Sequence, residues 1–395
     1  MDKDLPRALE DYAAEGWAPF HMPGHKRNPL LGGGLPWQLD ITEIAGFDNL
    51  NDPRGILLDL KRRAAAHWGA NAELGVSDAW VSVNGGTGAV LAGIRAMTRR
   101  GDTVLAARNC HISVFHALEL CGLRPVFLEP EWVHAWGVYG ALSQRTLDQA
   151  IRENPQASLC VVTSPTYEGV LSPLECPIPL FVDAAHGAHL PLPRADLVAV
   201  SLHKTLPALT QTALLLAGGG RVDRDRVSRE MRVFQTSSPS YVLLASVAQC
   251  LGLLETHGTK WFAAWGERMD AFCAHARQWR NLRLFDREHD NAPCGGHDKG
   301  KLLIRCDAEY AAAFLRGRKI EPEYARGNLL LLMTSCCDTD EAMARLTAAL
   351  DELDADCPGA PPPAPRPAPL PEDFMERPAS WVVEYPPGAP TQKFS

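Results

Sequence analysis

Three things are scarce in this sequence. No long apolar run is present: the longest stretch without a charged side chain, 233–254, holds Gln235-Thr236-Ser237-Ser238 near its start, then Pro239 and Gln249. Hydrocarbon tolerates such groups poorly, so no transmembrane helix and no membrane partner are expected. Blocks of one charge are also missing. Lys plus Arg total 39 against 47 Asp plus Glu, a net charge of −8 with both signs scattered, which lacks the basic footprint of a nucleic-acid binder. The third absence is a regular cysteine spacing. Eleven cysteines, an odd and scattered set, read as reduced thiols rather than a disulfide framework. Only Cys294-Gly-Gly-His297 resembles half a zinc site, and without a second pair nearby no metal is expected. The first residues, Met1-Asp2-Lys3-Asp4-Leu5-Pro6, carry neither basic flank nor apolar core of a secretory signal, so the expected location is the cytoplasm.

What is present is an ordinary globular composition, 46% hydrophobic and 22% charged over 395 residues, long enough for two domains. Between residues 80 and 250 short β-branched runs alternate with helical stretches, punctuated by glycine. Strands are expected at 80–83, 103–106, 124–128, 158–163, 179–183, 197–202 and 212–217, with helices at 89–100 and 111–121. Continuous apolar strands alternating with helices predict an α/β fold with a mostly parallel sheet covered on both faces, its ligand at the carboxyl ends of the strands. The expected division is an N-terminal arm at 1–50, a large domain at 51–258, a smaller α+β domain at 259–357, a proline-rich connector at 358–371 and a tail at 372–395. A helix over 241–257, stopped by Gly258, is expected to lead from the large domain into the small one.

Polar residues stand where these strands should end. Asp183 closes Pro179-Leu180-Phe181-Val182, with Ala184-Ala185-His186 beyond it, and Leu197-Val198-Ala199-Val200 runs into Ser201-Leu202-His203-Lys204. A carboxylate or a lysine at the end of a buried strand needs a partner. Asn84-Gly85-Gly86-Thr87-Gly88 opens a helix and offers backbone N–H groups to a phosphate. Taken singly, these features read as a tight turn, a helix cap and a surface lysine. Taken in order, a phosphate cradle, a buried Asp and a lysine able to form a Schiff base meet the requirements of pyridoxal 5'-phosphate.

The same motifs resemble the Orn/Lys/Arg decarboxylase family of fold type I pyridoxal-phosphate-dependent enzymes. The likeness is carried by His21-Met22-Pro23-Gly24-His25-Lys26, Val83-Asn84-Gly85-Gly86-Thr87-Gly88, Ser164-Pro165-Thr166-Tyr167-Glu168-Gly169, Asp183-Ala184-Ala185-His186-Gly187, Ser201-Leu202-His203-Lys204-Thr205 and Thr236-Ser237-Ser238-Pro239. It implies that Lys204 holds the cofactor aldehyde, Asp183 pairs with the pyridine nitrogen and His111 stacks on the ring. Gly86, Thr87, Gly88, Ser201 and His203 would bind the phosphate, and His186 would lie near the phenolic oxygen. Ser237 would reach the phosphate of a neighbouring subunit, making a homodimer the smallest active unit. The implied activity is decarboxylation of arginine, lysine or ornithine, with Lys204 or His111 returning a proton to Cα. An aminotransferase, a β-eliminating lyase and a catalytically silent cofactor-binding regulator are the alternatives on the same fold. Glu43, Asp48 and Glu168 are candidates for the substrate's distal cation, and Arg305 and Arg326 for its carboxylate. One position departs from the family pattern: Gly86 stands where serine is common.

Overall fold

The computed structural model describes residues 18–20, 48–69, 75–287, 290 and 292–368. Glu43, the 21–26 motif and the tail at 372–395 lie outside the described residues. The large domain is built on a seven-stranded sheet in the order Val76–Ser82, Ala213–Gly218, Leu197–Ser201, Leu180–Asp183, Ala157–Thr163, Thr103–Ala107, Arg124–Leu128. Neighbours from Leu197–Ser201 to Arg124–Leu128 run parallel, and Ala213–Gly218 is antiparallel to both its neighbours. The strands between these edges are almost wholly buried because helices cover both faces, and the expected strands fall at their sequence positions to within a few residues.

Helix Gly85–Met97 crosses the sheet at its centre, and a glycine sets how closely it approaches. A Cβ at Gly93 would enter the ring of Phe181 and lie 3.1 Å from Leu197 Cδ2. Phe181 and Leu197 are both fully buried. The helix therefore forgoes the better propensity of alanine to lie against two strands that carry site residues at their ends.

The small domain packs a four-stranded antiparallel sheet, Arg283–Leu284, Lys301–Arg305, Leu329–Met333 and Tyr324–Arg326, against helices Ala308–Gly317 and Asp340–Asp356. Two expectations are corrected here. Gly258 does not end its helix: Tyr241–Ala276 runs unbroken for 36 residues. Its first half packs Leu244, Val247, Leu251 and Leu254 on the large-domain core, and its second half packs Trp265, Met269 and Phe272 on the small-domain core. Burial on two cores outweighs the roughly 1 kcal/mol cost of an internal glycine. Within the expected N-terminal arm, Ala18–Pro19 pairs parallel with Ile320–Glu321 of the small domain. The proline-rich segment, expected as an extended connector rather than a packed element, packs on the large domain. Ala364 lies against Gly137, whose φ of +69° and lack of a side chain admit the Ala364 nitrogen within 2.6 Å of where a Cβ would be, and Arg366 reaches the Pro130 carbonyl at 3.4 Å.

Gly93→Ala should destabilise the protein by about 1–3 kcal/mol, because overpacking against Phe181 exceeds the gain in helix propensity. Urea unfolding followed by circular dichroism reads this, and an unchanged or raised midpoint would show that the helix can move off the sheet.

Candidate active site

The carboxyl ends of the central parallel strands and the start of helix Gly85–Met97 meet at one place. Gly85 adopts φ +72° and donates its N–H to Gln211 O at 2.9 Å, turning the chain from strand to helix. Gly86 and Thr87 follow in the first helical turn, where backbone N–H groups have no acceptor within the helix. A side chain at Gly86 would come within 2.7 Å of Ser201 Oγ. The glycine found there thus leaves room for the hydroxyl of Ser201, which is buried at the end of its strand. His203 is turned by its Nδ1–H, which donates to Thr212 O at 3.2 Å.

Asp183 ends its strand 2% exposed and accepts the Ala185 N–H at 3.1 Å. Burial pushes its carboxyl up; a charged Lys204 and the Ala185 N–H oppose that shift. His111 caps helix Ile112–Cys121, with Nδ1 accepting the Ser113 N–H at 3.2 Å. Burial, with Lys204 and His116 nearby, pushes His111 down to about 3, so the ring is neutral and its hydrogen sits on Nε2.

Lys204 sits in the short helix Leu202–Thr205, and its Nζ lies 2.8 Å from His186 Nε2. The other ring nitrogen, Nδ1, lies 3.0 Å from Nζ of Lys301, a small-domain lysine that is 2% exposed. Burial and the surrounding lysines and histidines hold His186 well below the ordinary histidine range. The Tyr167 ring packs edge-on against His186 at 4.6 Å, and the Tyr167 hydroxyl bonds to buried Glu323. A second contact crosses the same domain boundary: His189 Nε2 donates to Asp298 Oδ1 at 3.1 Å, both side chains buried.

Several residues expected around a pyridoxal phosphate are therefore together: a donor-rich turn where Gly86 leaves room beside the Ser201 hydroxyl, a buried carboxylate, a neutral histidine and a lysine. Their chemistry fits the cofactor. Gly88 is buried beneath the turn, its Cβ position 3.4 Å from Phe234 O, and Thr236 N donates to Asn84 Oδ1 at 3.3 Å. Ser237, one residue on, is exposed.

Asp48, Arg305 and Arg326 are engaged elsewhere, and Glu168 lies at the domain boundary. Asp48 is a structural cap, its carboxylate accepting N–H groups of Asn49, Arg54, Gly55 and Leu57 at 2.7–3.1 Å. Arg305 and Arg326 both pair with Leu329, at the opposite end of the small sheet from Lys301. Four residues of strand make that separation roughly 13 Å. Glu168 is buried at the domain boundary and bonds Thr166 and Tyr324, with burial raising its carboxyl. His297 donates Nε2–H to the Glu168 carbonyl at 2.9 Å, so that nitrogen serves no metal. Sequence reasoning missed Lys301, His189, Asp298 and Glu323. Lys301 carried the same signal as Lys204, a lysine against an apolar strand, here Leu302-Leu303-Ile304.

Asp48 also yields a pH dependence. Burial would raise its carboxyl, but the four backbone N–H groups outweigh it and lower it to about 2. Its contribution is complete above the unfolded value of about 3.9 and is lost as pH falls through about 2. Asp48→Ala should cost about 1 kcal/mol at neutral pH, solvent screening keeping it near the lower end for a cap. The gap in urea midpoints between the two proteins should close on acidification; a gap as wide near pH 2 as at pH 7 contradicts the assignment.

Residues 4–260 match the family model described as Orn/Lys/Arg decarboxylase, major domain. The chain is 36% identical to the uncharacterized protein YaaO of Bacillus subtilis (strain 168), over 62% of this chain and 55% of that one. It is 31% identical to an arginine decarboxylase of the same organism, over 64% and 56%. The chain thus spans about half the length of these two relatives. An arginine decarboxylase of Bacillus anthracis is 28% identical, over 88% of this chain and 76% of that one. Among solved structures, the constitutive lysine decarboxylase of E. coli superposes with a TM-score of 0.69 at 21% identity, covering 89% of this chain and 60% of that one, which establishes the shared fold.

Proposed function

Because the chain belongs to the Orn/Lys/Arg decarboxylase family, whose cofactor is pyridoxal phosphate, we propose that it decarboxylates a basic amino acid, arginine, lysine or ornithine, to the corresponding amine and carbon dioxide. The observation that carries this reading is Lys204, at the end of a buried strand, held 2.8 Å from His186 beside buried Asp183.

When bound, pyridoxal phosphate supplies an aldehyde for an amine and a protonated pyridine that withdraws electrons from Cα as carbon dioxide leaves. The chain's own residues set the conditions. The first-turn N–H groups of Gly86 and Thr87, with Ser201 and His203, would hold the phosphate; Gly88, whose N–H donates to Asn84 O at 3.2 Å, would support the turn from beneath. Asp183 would hold the proton at the pyridine nitrogen; a buried carboxylate pushed up when alone gains most from such a cation. Neutral His111, hydrogen on Nε2, would cover the ring without adding charge. Lys204 would bind the aldehyde and, once displaced by substrate, return a proton to Cα. Tyr167, Glu323 and the edge of the small domain would close the site against water. Buried Glu168, near Lys301, and buried Glu323, bonded to the Tyr167 hydroxyl, would lend the boundary acidic character, which suits a substrate with a distal cation better than an acidic or apolar one.

Amine release and carbon dioxide evolution across the twenty amino acids test the reading. Turnover should be confined to a basic amino acid, and a keto acid in place of the amine would overturn it. Lys204→Ala should lose the visible absorbance of the bound cofactor and nearly all turnover. Asp183→Asn should keep the absorbance while kcat falls by about 10²–10⁴. A wild-type kcat in the second variant would place Asp183 outside the chemistry.

The proposed active unit is a homodimer in which exposed Ser237 is offered to the phosphate site of a second copy. Cofactor binding and dimerisation would then strengthen each other equally. Sedimentation should show dilution releasing cofactor, and Ser237→Ala should weaken both; a stable monomer holding its cofactor would end the shared-site idea.

A further inference from the structure

Every amino acid that enters this site brings an α-carboxylate, and the arginines of the small domain are badly placed to meet it. Arg305 and Arg326 both pair with Leu329 at the far end of the small sheet. The opposite end of the same strand carries another basic side chain. Lys301 begins Lys301–Arg305, is 2% exposed, and brings its Nζ to 3.0 Å from His186 Nδ1. We infer that Lys301 is a substrate-binding residue that holds the α-carboxylate. The inference rests on the proposed decarboxylation, with Lys204 as the lysine that binds the cofactor.

The fold aims this side chain at the site. A turn pins its backbone, with Lys301 N–H donating to Asp298 O and Gly300 N–H to Asp298 Oδ1, each at 2.9 Å. Its stem then crosses Gly169 of the large domain, φ +96°, where a Cβ would come within 2.8 Å of Lys301 Cγ. The glycine lets a small-domain lysine through to His186, whose other nitrogen lies 2.8 Å from Lys204 Nζ. The two ring nitrogens point away from each other, so the two amines stand roughly 7–8 Å apart. A substrate amine that replaces Lys204 on the cofactor carries its carboxylate oxygens about 3 Å away, and a hydrogen bond spans about 3 Å more. The rotatable bonds of a lysine cover the remainder. With three donors, an ammonium can serve the carboxylate and His186 Nδ1 together. The contacts to His186 fit either lysine as the ammonium, but the charge that matters here is that of the complex. There Lys204 is engaged by the cofactor when substrate arrives, and an incoming carboxylate favours the charged form of the amine beside it. Such a contact binds and orients; because the carboxylate loses its charge as carbon dioxide leaves, it is not asked to speed the cleavage itself.

Phosphopyridoxyl conjugates test this without turnover. Pyridoxal phosphate is joined by reduction to arginine, lysine or ornithine, and separately to the amine each would yield, so the members of a pair differ only in the carboxylate. Affinity for the intact chain freed of cofactor is read by tryptophan fluorescence. The wild type should bind the carboxylate-bearing member about tenfold more tightly, the worth of one charge-assisted hydrogen bond. In Lys301→Met that preference should vanish while the amine conjugate binds as before, and Lys301→Arg should keep it. Equal affinity of the wild type for both members overturns the inference before any variant is made. A preference retained in Lys301→Met overturns it too, as does an equal loss for both members, which would mark a packing role. Lys301→Gln takes the place of Lys301→Met where the latter does not fold. Conjugates of alanine and ethylamine separate the premise: basic conjugates that bind no better than these would end the basic-substrate reading, while the alanine pair still reports the carboxylate preference.

Discussion

An imidazole held between two lysines, out of water and across a domain boundary, is the constraint on which the rest of this structure turns. Lys204 and Lys301 reach His186 at 2.8 and 3.0 Å from opposite sides, and each comes from a different core. A buried lysine left without a partner costs several kcal/mol, so each domain supplies what the other requires. The sheet must deliver Lys204 at one strand end and His186 just beyond the adjacent one. The small domain must deliver Lys301 at the start of a strand facing them.

The remaining architecture fixes that meeting. His189 and Asp298 lie three residues from His186 and Lys301 respectively, forming a second contact parallel to the first. Helix Tyr241–Ala276 is common to both cores, and Gly296–His297 pairs antiparallel with Val170–Leu171 of the large domain. Two polar contacts, one strand pair and one continuous helix oppose relative movement of the domains around the site. The candidate cofactor site lies at this boundary, lined from both sides by tertiary packing.

The large domain was legible because parallel strands buried on both faces read as continuous apolar runs, and polar residues interrupting them stand out. Asp183, Ser201, His203 and Lys204 stand out as candidates by that contrast, and Gly86 to Gly88 by the glycine-rich helix start. The boundary was less legible. Gly258 looks like a stop signal from its local sequence, and only the two cores packed along one helix override it. Asp48 looked like a candidate ligand because its four backbone donors come from a loop whose path no periodicity reveals. Arg305 and Arg326 attracted attention for their charge, yet strand register carries them to the far end of the small sheet. Lys301 escaped because a lysine before an apolar run becomes informative only when His186, 115 residues earlier, is known to face it.

Borohydride reduction of the protein loaded with pyridoxal phosphate, followed by peptide mapping, tests the central claim most directly. Lys204 and Lys301 flank the same ring, so the measurement must tell two nearby amines apart. The account predicts a pyridoxyl group on the peptide containing Lys204 alone. The same group on Lys301, or on any other lysine, would contradict it.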